Sequence, residues 1–195
     1  MEPALEKIAA FADQAHGDQQ RKYADESYIQ HPLRVMKTCR NYGYSLPVLA
    51  AAILHDVLED TDTTPQQIMK FLLTVMNETD AEKTLALVIE LTDIYTKEQY
   101  PRMNRRKRKT NEANRIKGIS AEAQTIKYAD IMDNATGIAQ HDADFAPVFL
   151  RECSNLLEKM QNGNNELRKE AIELVAKEKQ QLKNPGIMKG PDKYF

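Results

Sequence analysis

Apolar side chains recur at three- and four-residue spacing along most of the chain, which is the pattern of amphipathic helices. The N-terminal stretch 3–16 shows it with Ala4, Ile8, Phe11, Ala12 and Ala15. No segment shows convincing alternation with a period of two, so the pattern predicts no strand. The predicted fold is all-α, a single helical bundle of about nine helices.

Turn and capping residues mark the helix ends. Thr64, Pro65 and Gln67 have the spacing of a capping box with proline in the first turn. The last residues, 183–195, contain two prolines and two glycines and are predicted to form a loosely held tail, which leaves 1–182 as the domain. Helices are predicted over 3–16, 32–41, 46–60, 65–77, 81–92, 104–117, 120–139, 145–161 and 165–182.

The stretch Leu46–Asp60, LPVLAAAILHDVLED, departs from the amphipathic pattern because it is apolar nearly all round before it ends in four polar residues. Such a helix is normally buried. On one continuous helix the four polar side chains would share an arc of roughly 140°. Buried carboxylates and imidazoles must be paired, hydrated or bound to a cation, and carboxylates are unfavourable at a helix C-terminus. A cation site is therefore predicted, with solvated acids as the alternative, at His55, Asp56, Glu59 and Asp60.

Composition excludes several functional classes. The 195 residues carry 27 basic and 29 acidic side chains, a net charge of −2, which does not favour nucleic acid or an anionic membrane as a partner. The longest strictly apolar run, Val48 to Leu54, is too short to span a bilayer. With no basic segment before an apolar N-terminal run and two isolated cysteines, we expect a cytoplasmic protein. Composition leaves a homo-oligomer open.

A cation needs ligands from more than one segment, because a single helix face cannot surround it. His31, which follows a polar loop, and Asp130, which lies in an otherwise apolar helix, are the best outside candidates. A structural role remains the alternative for His31. Two histidines with two carboxylates suit Mn²⁺, Fe²⁺, Ni²⁺ or Zn²⁺ better than a thiolate site would, and among these we expect one Mn²⁺.

These residues also carry a resemblance to a known family. The order His31, His55-Asp56, Asp130 resembles that of the HD-domain metal-dependent phosphohydrolases. The segments RKYADESYIQHP, AAILHDVLED, ELTD and TIKYADIMDN are similar to the hydrolase domain of Rel/Spo-type alarmone enzymes, and more so to the stand-alone small alarmone hydrolases. The similarity covers roughly residues 3 to 160. A second pair, His141-Asp142, lies in a polar stretch and is interpreted as surface.

The resemblance implies a role for each part of the pattern. It implies that one divalent metal ion is bound by His31, His55, Asp56 and Asp130. It implies that the attacking water is positioned or activated by Glu59 and Asp60. It also implies that the nucleotide substrate is contacted by Arg21, Lys22 and Asn134.

The basic run 102–109, RMNRRKRK, admits two interpretations. One is a solvated surface. The other, suggested by a similar element in the relatives, is a charged wall that attracts a polyphosphate. In the second case we expect the contacts to come from Arg105, Arg108 and Lys109.

The predicted function is removal of pyrophosphate from the 3′ position of guanosine tetra- or pentaphosphate alarmones. Two alternatives remain: an HD-class nucleotidase or phosphodiesterase for another nucleotide, and a non-catalytic helical module that senses a nucleotide. Long Rel/Spo enzymes typically read Ala-Asp-Arg-Leu-His-Asn-Met-Arg, whereas this chain reads Ala-Asp-Ile-Met-Asp-Asn-Ala-Thr from Ala129 to Thr136. Both arginines are missing, which leaves the substrate less certain than the metal site.

Overall fold

The structure, a computed structural model, describes residues 2–22 and 25–183, and over these ranges the predicted all-α fold is confirmed. It contains eleven helical segments, of which α4 and α9 have only four residues. An isolated bridge joins Gln20 to Ser27 in the polar loop. The segments are α1 (Pro3–His16), α2 (Gln30–Asn41), α3 (Leu46–Leu54), α4 (Val57–Asp60), α5 (Pro65–Leu72), α6 (Glu78–Leu91), α7 (Arg105–Ile116), α8 (Ala121–Ala135), α9 (Ile138–His141), α10 (Ala146–Lys159) and α11 (Asn165–Lys183).

Most predicted helices lie close to their observed bounds. The capping box is present: Thr64 accepts from the Gln67 amide, and the Gln67 side chain accepts from the Thr64 amide. Helix α5 nevertheless ends at Leu72 rather than at 77, and the segment predicted over 120–139 divides into α8 and α9 at Gly137, which has φ of +73°. Residues 184–195 of the predicted tail lie outside the described residues.

Helix α3 is the centre of the bundle. Its residues from Pro47 to Leu54 are all buried, and it packs against α1, α2, α6 and α8. Contact with helices on all sides explains why its sequence has no polar face.

The prediction of one continuous helix from Leu46 to Asp60 is wrong. Helix α3 ends at Leu54, His55 and Asp56 form a turn, and α4 begins at Val57. His55 Nδ1 lies 2.9 Å from the Ala52 carbonyl oxygen, which in a continued helix would accept the Asp56 amide. The side chains of this segment therefore do not share the arc expected of one helix.

Helix α8 lies beside the centre, packing against α2, α3, α6, α10 and α11. Its Tyr128 is fully buried and donates a hydrogen bond of 2.9 Å to the Met160 carbonyl, which fixes the turn between α10 and α11. As a result α2, the end of α3 and α8 come together at one place in the bundle. Among the described residues, no helix is long and apolar enough to cross a membrane.

Candidate functional site

Four sequence-predicted ligands come together where these three helices meet. His31 is in the first turn of α2, His55 and Asp56 form the turn after α3, and Asp130 is in α8. His31 Nε2 lies 3.2 Å from Asp130 Oδ1 and 3.5 Å from Asp56 Oδ2. His55 Nε2 lies 3.1 Å from Asp56 Oδ2 and 3.7 Å from Asp130 Oδ1. Two imidazole nitrogens and two carboxylates thus face a common point.

The other nitrogen of each imidazole is already bonded. His31 Nδ1 lies 2.7 Å from Asp133 Oδ2, and His55 Nδ1 lies 2.9 Å from the Ala52 carbonyl oxygen. Both partners are acceptors, so in the neutral imidazole each Nδ1 carries the proton and each Nε2 keeps a lone pair. The two Nε2 atoms are buried without a hydrogen-bond partner, which is the state expected of metal ligands.

This donor set can hold a divalent cation. Ligand atoms of His31, His55 and Asp56 lie within 4.8 Å of one another, and Asp130 adds a second carboxylate to both imidazoles. Nitrogen and oxygen donors together suit a first-row divalent metal. The residues present therefore fit a metal centre.

The electrostatics of the cluster favour positive charge between the carboxylates. Desolvation lowers the pKa of His55, but Asp56 and Asp130 more than offset this and raise it to about 10. Conversely, desolvation opposes ionisation of Asp130, but Lys127 and the two imidazoles hold its pKa well below the usual range. A bound dication would meet the same need.

Glu59 and Asp60, at the end of α4, are exposed and lie beside the cluster. Glu59 Oε2 accepts a hydrogen bond of 3.3 Å from the Asp93 amide. Partial desolvation and the negative charge of Asp93 raise the pKa of Glu59 to about 7, despite the opposing charge of Lys127. The Tyr28 hydroxyl donates a 2.7 Å bond to Asp56 Oδ2, and its pKa is raised by burial and by both Asp56 and Asp60.

The predicted substrate residues lie on the α8 side of the cluster. Arg21 Nη2 donates a 2.9 Å bond to Asn134 Oδ1, and Asn134 Nδ2 donates a 2.6 Å bond to Asp130 Oδ1. Arg21 is therefore two hydrogen bonds from the ligand Asp130. Lys22 is 69 % exposed and contacts Asp142 at 3.0 Å, so it lies further out than Arg21.

Part of the basic run lines a cavity of about 810 Å³ that reaches Asp130 of the predicted ligand cluster. Arg105 and Lys109 line it, together with Asp130 and Asn134, whereas Arg108 is not among its lining residues and donates to the Met103 carbonyl. Arg105 pairs with Glu152 through bonds of 2.9 and 2.7 Å, and Lys109 contacts Asp93 at 2.8 Å. The cavity wall therefore alternates basic groups with acids. Arg106 lines it too and was not predicted.

A family model described as HD domain matches residues 9–162. The chain belongs to the HD-domain family. A guanosine-3′,5′-bis(diphosphate) 3′-pyrophosphohydrolase of Aquifex aeolicus is 44% identical over 64 residues, 33% of this chain and 9% of the relative. The protein of that name called MESH1 in Xenopus tropicalis is 35% identical over 132 residues, 66% of this chain and 65% of the frog protein. The chain thus spans less than two thirds of either relative.

Solved structures show the same fold. One is described as a metazoan orthologue of SpoT that hydrolyses ppGpp; it has a TM-score of 0.74 at 22% identity, and the match covers 91% of this chain and 96% of that one. A protein of Listeria monocytogenes has a TM-score of 0.59, also at 22% identity, with 77% and 99% covered.

Lys127 is a site residue of this HD domain that sequence reasoning missed. Its Nζ lies 2.8 Å from Asp130 Oδ2, and its side chain is only 16% exposed. Desolvation lowers its pKa, but Asp130, Asp93 and Glu59 more than offset this and raise it. Its spacing from Asp130, three residues earlier on a helix, was a usable signal that the two side chains share a face.

Asp133 is the second missed residue. It follows Asp130 by three positions on α8, and its Oδ2 contacts His31 Nδ1. Desolvation opposes its ionisation, but hydrogen bonds with His31 and Arg34 hold its pKa below the usual value. The interpretation of His141-Asp142 as surface agrees with the structure in that His141 is exposed.

Proposed function

We propose that this HD domain is a metal-dependent phosphohydrolase that removes pyrophosphate from the 3′ position of guanosine tetra- or pentaphosphate. The observation that carries the proposal is the pair of buried, unpartnered Nε2 atoms of His31 and His55 facing Asp56 and Asp130. The names of the Aquifex and Xenopus relatives support the choice of substrate.

In this proposal His31, His55, Asp56 and Asp130 hold one divalent ion, most suitably Mn²⁺ for a mixed nitrogen and oxygen set. When bound, such an ion lowers the pKa of a water molecule and polarises a phosphoryl oxygen. Glu59 accepts a proton from the attacking water, for which a pKa of about 7 is well suited. Asp60, next to Glu59, orients that water.

The substrate lies between the metal cluster and the cavity. Arg21 neutralises phosphate charge, and Asn134 keeps Arg21 close to Asp130 through its two hydrogen bonds. Arg105 and Lys109 exchange their carboxylate partners for phosphate oxygens as the nucleotide enters. A cavity of about 810 Å³ lies within the usual size range of ligand pockets.

A second candidate is an HD-class nucleotidase or phosphodiesterase with another nucleotide substrate. It is favoured by one observation: Ile131 and Thr136 stand where the Rel/Spo-type pattern has arginines, and Ile131 lines the cavity. The two candidates share the metal site and differ in what fills the cavity.

Metal content and activity of ligand variants test the shared part of the proposal. Asp56→Ala and Asp130→Ala should lose both bound Mn²⁺ and hydrolysis, as measured by elemental analysis and product release. Asp144→Asn, an acid of the α9–α10 turn, serves as a control and should keep both. A full equivalent of tightly bound metal in Asp130→Ala would exclude that residue as a ligand.

A further inference from the structure

Asp133 connects three groups that serve the site. Its Oδ2 lies 2.7 Å from His31 Nδ1, and its Oδ1 accepts a 2.6 Å hydrogen bond from Arg34 Nε. Arg21 Nη2 is 3.7 Å from the same Oδ2. The carboxylate therefore uses both oxygens: Oδ2 contacts His31 Nδ1 and accepts a 3.2 Å bond from Arg34 Nη2, while Oδ1 accepts from Arg34 Nε.

Asp133 determines which nitrogen of His31 can bind a metal. A carboxylate can only accept, so the proton of the neutral imidazole must be on Nδ1, and the lone pair is then on Nε2. That atom lies 3.2 Å from Asp130 Oδ1 and 3.5 Å from Asp56 Oδ2. His31 is 1% exposed, so water cannot easily replace the acceptor.

Arg34 keeps Asp133 in place. It is three residues after His31 on α2, and its Nη1 and Nη2 donate bonds of 3.0 and 2.8 Å to Glu26. The same guanidinium is thus held by Glu26 on one side and binds Asp133 on the other. Because Arg34 and His31 are both on α2, Asp133 also joins α2 to α8 at the site.

The Rel/Spo-type pattern Ala-Asp-Arg-Leu-His-Asn-Met-Arg has histidine where this chain has Asp133. The carboxylate is therefore a feature of this chain and not of that pattern. We propose that Asp133 is a positioning residue of the metal centre: it holds His31 in the Nδ1-protonated form with Nε2 directed at Asp56 and Asp130. This inference rests on one part of the proposed function, the binding of a metal ion by His31, and not on the identity of the substrate.

The test is the affinity of the whole protein for Mn²⁺, measured by titration calorimetry, in the parent and in Asp133→Asn. Both carboxylate oxygens of Asp133 face donors, so asparagine must turn its NH₂ group towards either His31 Nδ1 or Arg34 Nε, and that contact is lost. We expect affinity to fall about 10- to 100-fold, the usual effect of losing such a partner. Glu26→Gln, the control, removes one negative charge from the same cluster without touching His31 and should change affinity less than about threefold.

The ¹⁵N chemical shifts of the His31 ring provide a readout that needs no variant. In the Zn²⁺-loaded parent, chosen because Zn²⁺ is diamagnetic, Nδ1 should be protonated and Nε2 should not. A protonated Nε2 would overturn the inference and leave the metal centre intact. So would a parent that binds Mn²⁺ with the same affinity as Asp133→Asn. A parent that binds no Mn²⁺ would overturn both.

Discussion

Glu59 and Asp60 are neighbours on α4 with different surroundings. Glu59 meets Asp93 and Lys127, and its pKa is raised to about 7, whereas Asp60 lies on the Tyr28 side. A carboxylate that titrates near neutrality exchanges protons readily at physiological pH. On this basis we propose proton transfer by Glu59 and orientation of the water by Asp60.

Replacing either acid with its amide should therefore separate chemistry from metal binding. Glu59→Gln and Asp60→Asn preserve shape, so we expect both to retain bound Mn²⁺ and to lose at least ~100-fold in kcat, the scale of a general acid–base group. Metal content and steady-state kinetics are the measurements. Near-normal turnover in both variants would show that the acids are structural.

The pH dependence follows from the same assignment. Glu59 acts as a base only when ionised, so kcat/KM should rise about tenfold per pH unit below its pKa and level off above it. The midpoint should lie at or below about 7, since a bound dication stabilises the carboxylate. In Glu59→Gln the rise of kcat/KM with pH should be absent. If the rise is unchanged in that variant, it belongs to the titration of another group.

Of the two proposed basic contacts Arg21 and Lys22, Arg21 lies closer to the metal-ligand cluster. A phosphate clamp acts alike in the ground state and the transition state, so Arg21→Ala should mainly raise KM. The increase in KM should be larger for guanosine 3′,5′-bisdiphosphate than for GTP, which has no 3′ diphosphate. Lys22→Ala, at the more exposed neighbour, is the comparison and should have the smaller effect. Equal losses for the two nucleotides would refute alarmone selectivity.

The sequence predicted individual site residues better than their supports. His55, Asp56 and Asp130 could be selected because a histidine or acid in an apolar setting is unusual, and His31 because a cation needs ligands from more than one segment. The three-residue spacing of Lys127 and Asp133 from Asp130 indicates that all three share one side of α8, but it did not show that this side faces α2. That facing is a tertiary contact that the residues of α8 alone do not specify.

At the scale of elements, the end of α3 shows where periodicity fails. The apolar run correctly predicted a buried helix, but it could not show that His55 would take the Ala52 carbonyl and end the helix. Helix starts were predicted more accurately, because the caps at Thr64 and Ser120 are local hydrogen bonds within three residues.

The turn between α10 and α11 sets the position of α8. A Cβ added at Gly163 would lie 2.5 Å from Tyr128 Cε2 and 3.0 Å from the Thr125 amide nitrogen. Gly163→Ala should therefore lower the free energy of unfolding by about 1–3 kcal/mol, as overpacking does. Gly118→Ala, whose Cβ would meet only the Arg115 carbonyl oxygen at 3.5 Å, is the control. Chemical denaturation measures both, and equal stabilities would show that the turn yields easily.

At the scale of the molecule, the site exists only when α2, α3 and α8 are assembled, so metal binding should favour the folded state. At a free Mn²⁺ concentration 100 times Kd the gain is about 2.7 kcal/mol, or ~5–10 °C in Tm for a chain of this size. Thermal unfolding with and without chelator measures it. Asp130→Ala should show no such difference, and a parent that also shows none would argue against a metal centre in the folded protein.

The fold class followed from helical periodicity alone, but the cavity did not. The basic run had two open interpretations; in the structure Arg105 and Lys109 line the same cavity as Asp130, whereas Arg108 is not in that lining. The side of α7 that faces the cavity depends on how α7 packs against α10. The polar sequence of α7 does not predict that packing.

Cleavage at the 3′ position is the reaction that the proposed function requires. Purified protein with Mn²⁺ should convert guanosine 3′,5′-bisdiphosphate to GDP and pyrophosphate, as identified by chromatography and mass spectrometry. A chelator should stop the reaction, and GTP should be hydrolysed far more slowly. Release of orthophosphate, cleavage at the 5′ position, or equal kcat/KM for GTP would contradict the proposed function.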